Sequence, residues 1–268
     1  ERPLIELRLL RDYNFAVANI ILFVFGLGMF GSTFLMPLYL QNALGYTALQ
    51  TGAMFLPVGL LQGVLSPVSG VISDRVNRRL PALIGVLLIG VSLVMNSRLT
   101  TETGRGWIVA TLCVRGIGGG FAFTPLGAIA LLNISREKMA QASGLYNVIR
   151  QVGGSVGVAV LGSLDARRLV FHTAMAGEAI DPGSPLLRST IADLHGRAMR
   201  VAGSTVAESV AQARSLLMGW VSTQAFVRAV ADCFLVAGVV TLIGVIPVLA
   251  LRAGRRGAGE VEAPPAAE

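Results

Sequence analysis

Gly70-Val71-Ile72-Ser73-Asp74-Arg75-Val76-Asn77-Arg78-Arg79 closes one long apolar run and stands directly before another. Its charges have no place in hydrocarbon, so the segment reads as a tight turn between two membrane-spanning helices. Three arginines, Arg75, Arg78 and Arg79, crowd this short connection. Short loops rich in Lys and Arg stay on the inner face of a membrane, which makes this side cytoplasmic. The orientation of every other span follows from this turn.

Working outward, the apolar runs divide the chain. Residues 1–14 are polar and basic, with Arg2, Arg8 and Arg11. Residues 15–165 hold five spans: about Phe15 to Leu40, Thr51 to Ser73, Leu80 to Ser97, Gly106 to Leu132 and Met139 to Leu164. Residues 166–221 form a long connection, residues 222–251 a sixth span, and residues 252–268 an Ala/Pro/Glu-rich cytoplasmic tail whose composition predicts disorder. Each span is about 20 residues or longer, enough to cross a hydrocarbon core of about 30 Å. Arg2, Arg8, Arg11, Arg75, Arg78, Arg79, Arg136, Lys138, Arg252, Arg255 and Arg256 fall on one side; the short loops of the other side hold only Arg98 and Arg105. The first side is therefore cytoplasmic and both termini lie inside, as an even number of spans requires. The 166–221 connection is then external; long loops cross regardless of their charge.

Composition agrees. The chain of 268 residues is 53% hydrophobic and 14% charged, where a soluble domain carries roughly 25% charged residues. This excludes a soluble enzyme and predicts an all-α, multi-pass protein of the cell membrane whose partner is the lipid bilayer. The net charge of +7 comes from arginines that flank apolar runs. The basic stripe with interleaved aromatics that nucleic acid demands is absent. The chain opens on Glu1 rather than an initiator Met, and no signal peptide precedes the first span; we expect a piece of a longer protein.

Within 166–221, Leu187, Ile191, Leu194 and Ala198 share one helical face, and Val206, Val210, Leu217 and Trp220 another. Asp181-Pro182-Gly183 signals a turn, and Thr205 with Glu208 a capping box. The pattern predicts an external helical hairpin, serving as a solvated spacer or as a lid over a vestibule.

Several motifs carry no chemistry. Gly26-Leu27-Gly28-Met29-Phe30-Gly31 fits a dinucleotide fingerprint, but it lies inside an apolar span with no strand before it. Asn133-Ile134-Ser135 fits a glycosylation acceptor on the wrong side. Cys113 and Cys233 lie in apolar runs and read as reduced core thiols. His172 and His195 fall in the external connection without ligand spacing, so no metal and no cofactor is expected. The pairs Gly59/Gly63, Gly116/Gly120 and Gly153/Gly157 are small-xxx-small spacings that let helix backbones approach. Pro37, Pro57, Pro67, Pro125 and Pro247 sit within spans or at their ends. They mark simple packing, or helices that flex and line a cavity.

The intramembrane charges are the most informative. Arg115 lies nine residues past Gly106, roughly 13 Å deep at 1.5 Å per residue, and Arg150 lies similarly deep in the fifth span. A cation at mid-bilayer costs roughly 2.5–3.5 kcal/mol on the lenient insertion scale, so each must face an interior cavity or a partner. Asp232 is the only acid within the expected spans, one turn after Arg228, which suits a local contact near the outer surface. Two deep arginines against one shallow acid leave positive charge to be met by an absent segment, a transported species or backbone carbonyls.

These residues resemble the C-terminal half of a major facilitator superfamily transporter, and more narrowly the fourteen-span EmrB/QacA-type drug:proton antiporters. Gly70, Asp74, Arg75, Arg78 and Arg79 match the superfamily's G-x-x-x-D-R-x-G-R-R loop, with Asn77 in place of its glycine; Asn tolerates the left-handed conformation best among non-Gly residues. Arg115-Gly116-Ile117-Gly118-Gly119-Gly120 resembles the Arg-Gly motif of a half's fourth span. Asn147-x-x-Arg150-Gln151-x-Gly153-Gly154-Ser155-x-Gly157 resembles the Gly-rich fifth span, and Pro37-Leu38-Tyr39-Leu40-Gln41 the end of the ninth span of the fourteen-span group. The likeness is good over residues 10–165 and weak over 222–251.

The resemblance implies proton-driven efflux of hydrophobic, often cationic drugs by two six-helix halves rocking about a midplane site. It implies that Asp74, Arg75 and Arg78 hold an inner gate, that Arg115 tunes a proton-carrying acid or touches substrate, and that Asn147, Arg150 and Gln151 line the cavity. The implied partners are a missing N-terminal half, a small-molecule substrate and protons. The acid expected in the first half's opening span is not in this chain. Two other readings stay open: a non-transporting six-span remnant or assembly partner, and a facilitator-superfamily carrier of an anionic metabolite, which two unmatched arginines would suit.

Overall fold

The computed structural model describes residues 7–179 and 206–251. All regular structure there is helical: a short 3-10 turn over Leu7–Arg11, then α1 (Tyr13–Asn42), α2 (Ala48–Arg75), α3 (Arg79–Asn96), α4 (Arg105–Ala130), a 3-10 turn over Arg136–Lys138, α5 (Met139–Ala179), α6 (Val206–Ile243) and α7 (Val245–Ala250). The helices Tyr13–Asn42, Ala48–Arg75, Arg79–Asn96 and Arg105–Ala130, and the stretch Ser215–Ala250, are long and apolar enough to cross a membrane. The chain is an all-α membrane protein.

Polar residues set the helix ends. The Asp12 carboxylate accepts from the Phe15 amide at 2.8 Å and caps α1. Thr47 and Gln50 make a reciprocal capping box on α2. The α1–α2 turn passes through Gly45 at φ +69°, a backbone conformation that a residue without Cβ adopts freely. Pro37, Pro57, Pro67 and Pro125 all lie inside continuous helices.

The bundle is assembled from close pairs: α1 on α5, α3 on α4, and α2 on α4, with α6 bridging α5 and α3. Glycines make the pairs possible. A Cβ on Gly153 would stand 2.6 Å from the Phe23 carbonyl oxygen, and one on Gly157 2.5 Å from that of Leu27, so α5 presses directly on the α1 backbone. Gly116 and Gly120 do the same for α4 against Val58 and Leu65 of α2. Gly26, Gly28 and Gly31 of the apparent fingerprint face the α5 backbone, Thr241 and Leu161, so those glycines are packing positions. Gly59 and Gly63 differ: nothing lies within 4 Å of where their Cβ atoms would be. Correspondingly, α2 leans on α4 and exposes Leu56, Leu60 and Val64.

The ends of the bundle are tied across elements. Tyr13 Oη donates to the Ala250 carbonyl at 3.2 Å, and Asn133 Nδ2 to Asp12 at 3.3 Å, so the start of α1, the α4–α5 turn and the end of α7 share one side. On the other side, Tyr39 Oη donates to the Thr100 carbonyl at 2.6 Å and Gln224 to Thr101 at 3.0 Å.

Two boundaries differ from the sequence expectation. The fifth helix does not stop at Leu164 but runs on to Ala179, and the sixth begins at Val206 rather than Ser222. Apolarity ends near Leu164, but helicity does not depend on it: Ala166, Arg167, Arg168 and Leu169 are good helix formers, and no Gly or Pro follows until Gly177. The second expected hairpin helix is thus continuous with the sixth span, and residues 166–179 belong to α5. The turn at Asp181-Pro182-Gly183, the face Leu187–Ala198, His195, Thr205 and the 252–268 tail lie outside the described residues.

Candidate functional site: two arginines at membrane depth

Arg115 stands in the middle of α4 and is only 4% exposed. Three helices close around it. Its Nη1 donates to Ser32 Oγ of α1 at 3.0 Å, and its guanidinium carbon lies 5.4 Å from the centre of the Phe55 ring of α2. Ser32 Oγ in turn donates to the Met29 carbonyl at 2.9 Å. Gly116 brings α2 close beside the arginine, and Gly118 faces α3. The Arg115 Nε is buried without a hydrogen-bond partner. No carboxylate pairs with Arg115 among the described residues; a hydroxyl and a ring face hold the charge. A cation over an aromatic face gains roughly 0.5–2 kcal/mol, which offsets only part of its desolvation.

Arg150 of α5 is half-buried. Its Nη2 donates to Asn147 Oδ1 at 3.1 Å, one turn earlier, and its guanidinium lies 4.8 Å from the centre of the Phe123 ring of α4. Phe123 meets Phe25 of α1 edge-on at 5.7 Å. Arg150 Nε is likewise buried and unpartnered. Asn147 and Gln151 are exposed on the outward face of α5, beside Val148 and Val152. The two arginines thus share one structural solution, an aromatic face plus a neutral oxygen. Ser32, Phe55 and Phe123 were missed in the sequence, where an isolated Ser or Phe in an apolar run carries no signal.

The turn that orients the chain has simple geometry. Asp74 is 71% exposed and pairs with Arg78 of its own turn at 3.3 Å. Asn77 Oδ1 accepts from the Arg79 amide at 3.2 Å, an Asx bond that holds the turn through the side chain. Arg75 is exposed, and Arg79 Nε is buried without a partner. A Cβ on Gly70 would stand 3.4 Å from Thr124 Cγ2 of α4. Asp74 thus stands open to solvent rather than enclosed between helices among the described residues.

Asp232 requires a correction. It does not pair with Arg228 but reaches across to α5, where its Oδ2 lies 2.8 Å from His172 Nε2 and 3.6 Å from Arg168 Nε. It is also not the only acid at that level, because α5 carries Asp165 one turn before Arg168. The extension of α5 past Leu164 brings Asp165, Arg168 and His172 onto one helix. No described ion pair joins Asp232 to Arg115 or Arg150.

The sequence match agrees with this architecture. The Major Facilitator Superfamily description fits residues 1–158. The chain is 29% identical over 247 residues to the fatty acid resistance protein FarB of Neisseria gonorrhoeae, covering 92% of this chain and 47% of that protein. It is 34% identical over 166 residues to a multidrug resistance protein B homolog of Mycobacterium tuberculosis, covering 61% of this chain and 31% of the relative. The colistin resistance protein EmrB of Acinetobacter baumannii is 24% identical over 68% of this chain and 35% of its own length. The chain therefore spans about a third to a half of these curated relatives. With a helical bundle closed by glycine contacts, an arginine buried in α4 and a family match over more than half its length, the chain belongs to the major facilitator superfamily of membrane transporters.

Proposed function

We propose that this chain is the C-terminal half of a proton-coupled exporter of hydrophobic or cationic drugs. The observation that carries the reading is the outward face of α5. Asn147 and Gln151 are exposed there beside Arg150, at a depth where lipid offers no hydrogen bonds. Such a face suits a water-filled cavity or a second protein surface. The bare stripe of Gly59 and Gly63 on α2 is a second surface awaiting close contact. A missing N-terminal half would cover both, leaving a cavity at the seam lined by Asn147, Arg150 and Gln151. Arg115 lies just behind its wall, and the Asp74–Arg79 turn sits at its cytoplasmic gate. The names of two relatives, a multidrug and a colistin resistance protein, support the drug class.

A second reading rests on Arg115 and Arg150, two cations that have no carboxylate partner among the described residues. It is transport of an anionic amphiphile, and the relative named a fatty acid resistance protein favours it.

The test is reconstitution in vesicles with an imposed proton gradient. We expect residues 1–268 alone to insert but not to move substrate, and co-expression with the N-terminal half to restore efflux of a lipophilic cationic dye. Efflux of long-chain carboxylates without dye efflux would select the anionic reading. Drug efflux by the isolated chain would overturn the two-half assignment.

A further inference from the structure

We propose that Asp165, Arg168, His172 and Asp232 form a proton-binding site that clasps α5 to α6, with His172 taking up the proton. Asp165, Arg168 and His172 stand at i, i+3 and i+7 on α5 and so share one face. Asp232 of α6 meets that face with a 2.8 Å contact to His172 Nε2 and a 3.6 Å contact to Arg168 Nε. His172 is 15% exposed and Asp232 35%, partly withdrawn from water but open to protons. Asp165 and Asp232 both lie within electrostatic range of the Cys233 thiol, and Asp165 Oδ1 is buried without a hydrogen-bond partner.

The geometry favours proton uptake. Asp232 lies against both Arg168 and His172, so a proton on the imidazole sets a second cation at hydrogen-bonding distance from its carboxylate. An ionised Asp232 only accepts, so neutral His172 presents Nε2–H to it and keeps its lone pair on Nδ1. A hydronium ion transfers its proton to that lone pair and leaves as water; no other bond changes. The contact from Nε2 to Asp232, already charge-assisted through its ionised acceptor, then gains a charged donor as well and becomes an ion pair between two different helices.

The other described elements packed against the site do not compete. α1 carries no Asp, Glu, Lys, Arg or His between Tyr13 and Asn42, and α3 only Arg79 at its far end. Arg167 and Arg228 flank the cluster but are exposed. The α3–α4 turn reaches α6 at Gln224, about two helical turns from Asp232, and brings only Glu102, Arg98 and Arg105. Phe171 walls the site, edge-on to His172 at 5.3 Å with Arg168 at 5.7 Å.

The site goes beyond the exporter reading and stands on geometry alone. It is tested in lipid nanodiscs with spin labels at Met175 of α5 and Met218 of α6, both exposed, in a background lacking Cys113 and Cys233. Inter-label distances are recorded at about pH 5 and about pH 8, on either side of the ordinary imidazole range. We expect a narrow distribution at the lower pH and a population shifted to longer distances at the higher. His172→Gln should give one distribution at both. His172→Lys, a permanent cation opposite Asp232, should remain narrow at both, and it decides the matter if the Gln variant misfolds. An unresponsive parent protein, or a His172→Gln or His172→Lys variant that keeps the parent's pH response, overturns the proposal. The readout contains no transport step, so its failure and that of the exporter reading are distinguishable.

Discussion

Arg115 shows what one residue imposes on its surroundings. A buried guanidinium with one hydroxyl and one ring face as partners is under-satisfied. Evicting the charge therefore relieves the fold while removing what the charge does. Arg115→Ala should reduce transport by the complete protein about tenfold or more with little loss of expression. Arg115→Lys should recover only part, because an ammonium keeps the charge over Phe55 but loses the planar fork that reaches Ser32 as well. Initial dye-efflux rates normalised to protein in the membrane measure both. Ser32→Ala removes the hydrogen bond that Arg115 makes to α1, and hydrogen bonds to charged groups contribute about 1.5–3 kcal/mol. Its thermal unfolding in detergent should fall accordingly. Asp74 behaves oppositely. Its exposed i,i+4 pair with Arg78 contributes only about 0.3–0.5 kcal/mol, so Asp74→Asn should leave unfolding unchanged. If the turn is a gate, the same variant abolishes efflux; unchanged efflux removes Asp74 from the mechanism.

At the scale of the helices, the small-residue pairs divide into two kinds. Gly153 and Gly157 admit the α1 backbone, and Gly116 and Gly120 admit α2. In a bilayer, where lipid tails are as apolar as Leu, that close approach drives association. Gly157→Leu must push α1 off α5 and should abolish the monodisperse folded species in detergent gel filtration. A Cβ at Gly59 meets no atom within 4 Å in this bundle, so Gly59→Leu should leave the isolated chain folded. In the complete protein the same change should impair transport if α2 packs against the proposed N-terminal half. An unimpaired Gly59→Leu exporter would show that this face meets lipid instead. The pairs are equivalent in sequence; only the neighbour across the groove separates them.

For the whole molecule, the remaining matter is which side faces the cytoplasm. The start of α1, the α4–α5 turn and the end of α7 lie together, and we propose from the distribution of arginines that this side is the interior. Cysteines introduced singly at Asn77 and Glu102, with Cys113 and Cys233 replaced, report the two faces. An impermeant thiol reagent should label the Glu102 site in intact cells and the Asn77 site only after lysis; the reverse pattern inverts the topology.

The sequence by itself determined the class of the protein, five of the six expected spans as helices long and apolar enough to cross a membrane, and the family likeness. These follow from local quantities: the length of an apolar run, the placing of Arg and Lys, and the spacing of glycines. It also placed Arg115 and Arg150 within helices, and their expected depth is counted along a helix of fixed rise. Tertiary structure alone decided what those charges touch. Phe55, Phe123 and Ser32 come from other helices and carry no signal in an apolar run. It likewise moved Asp232 from Arg228 to His172 and Arg168. The end of an apolar run marks where lipid ends, not where a helix ends, and only α5 continuing past Leu164 places that histidine opposite the acid. Contacts between helices depend on rotation and register about each axis, which no single helix encodes.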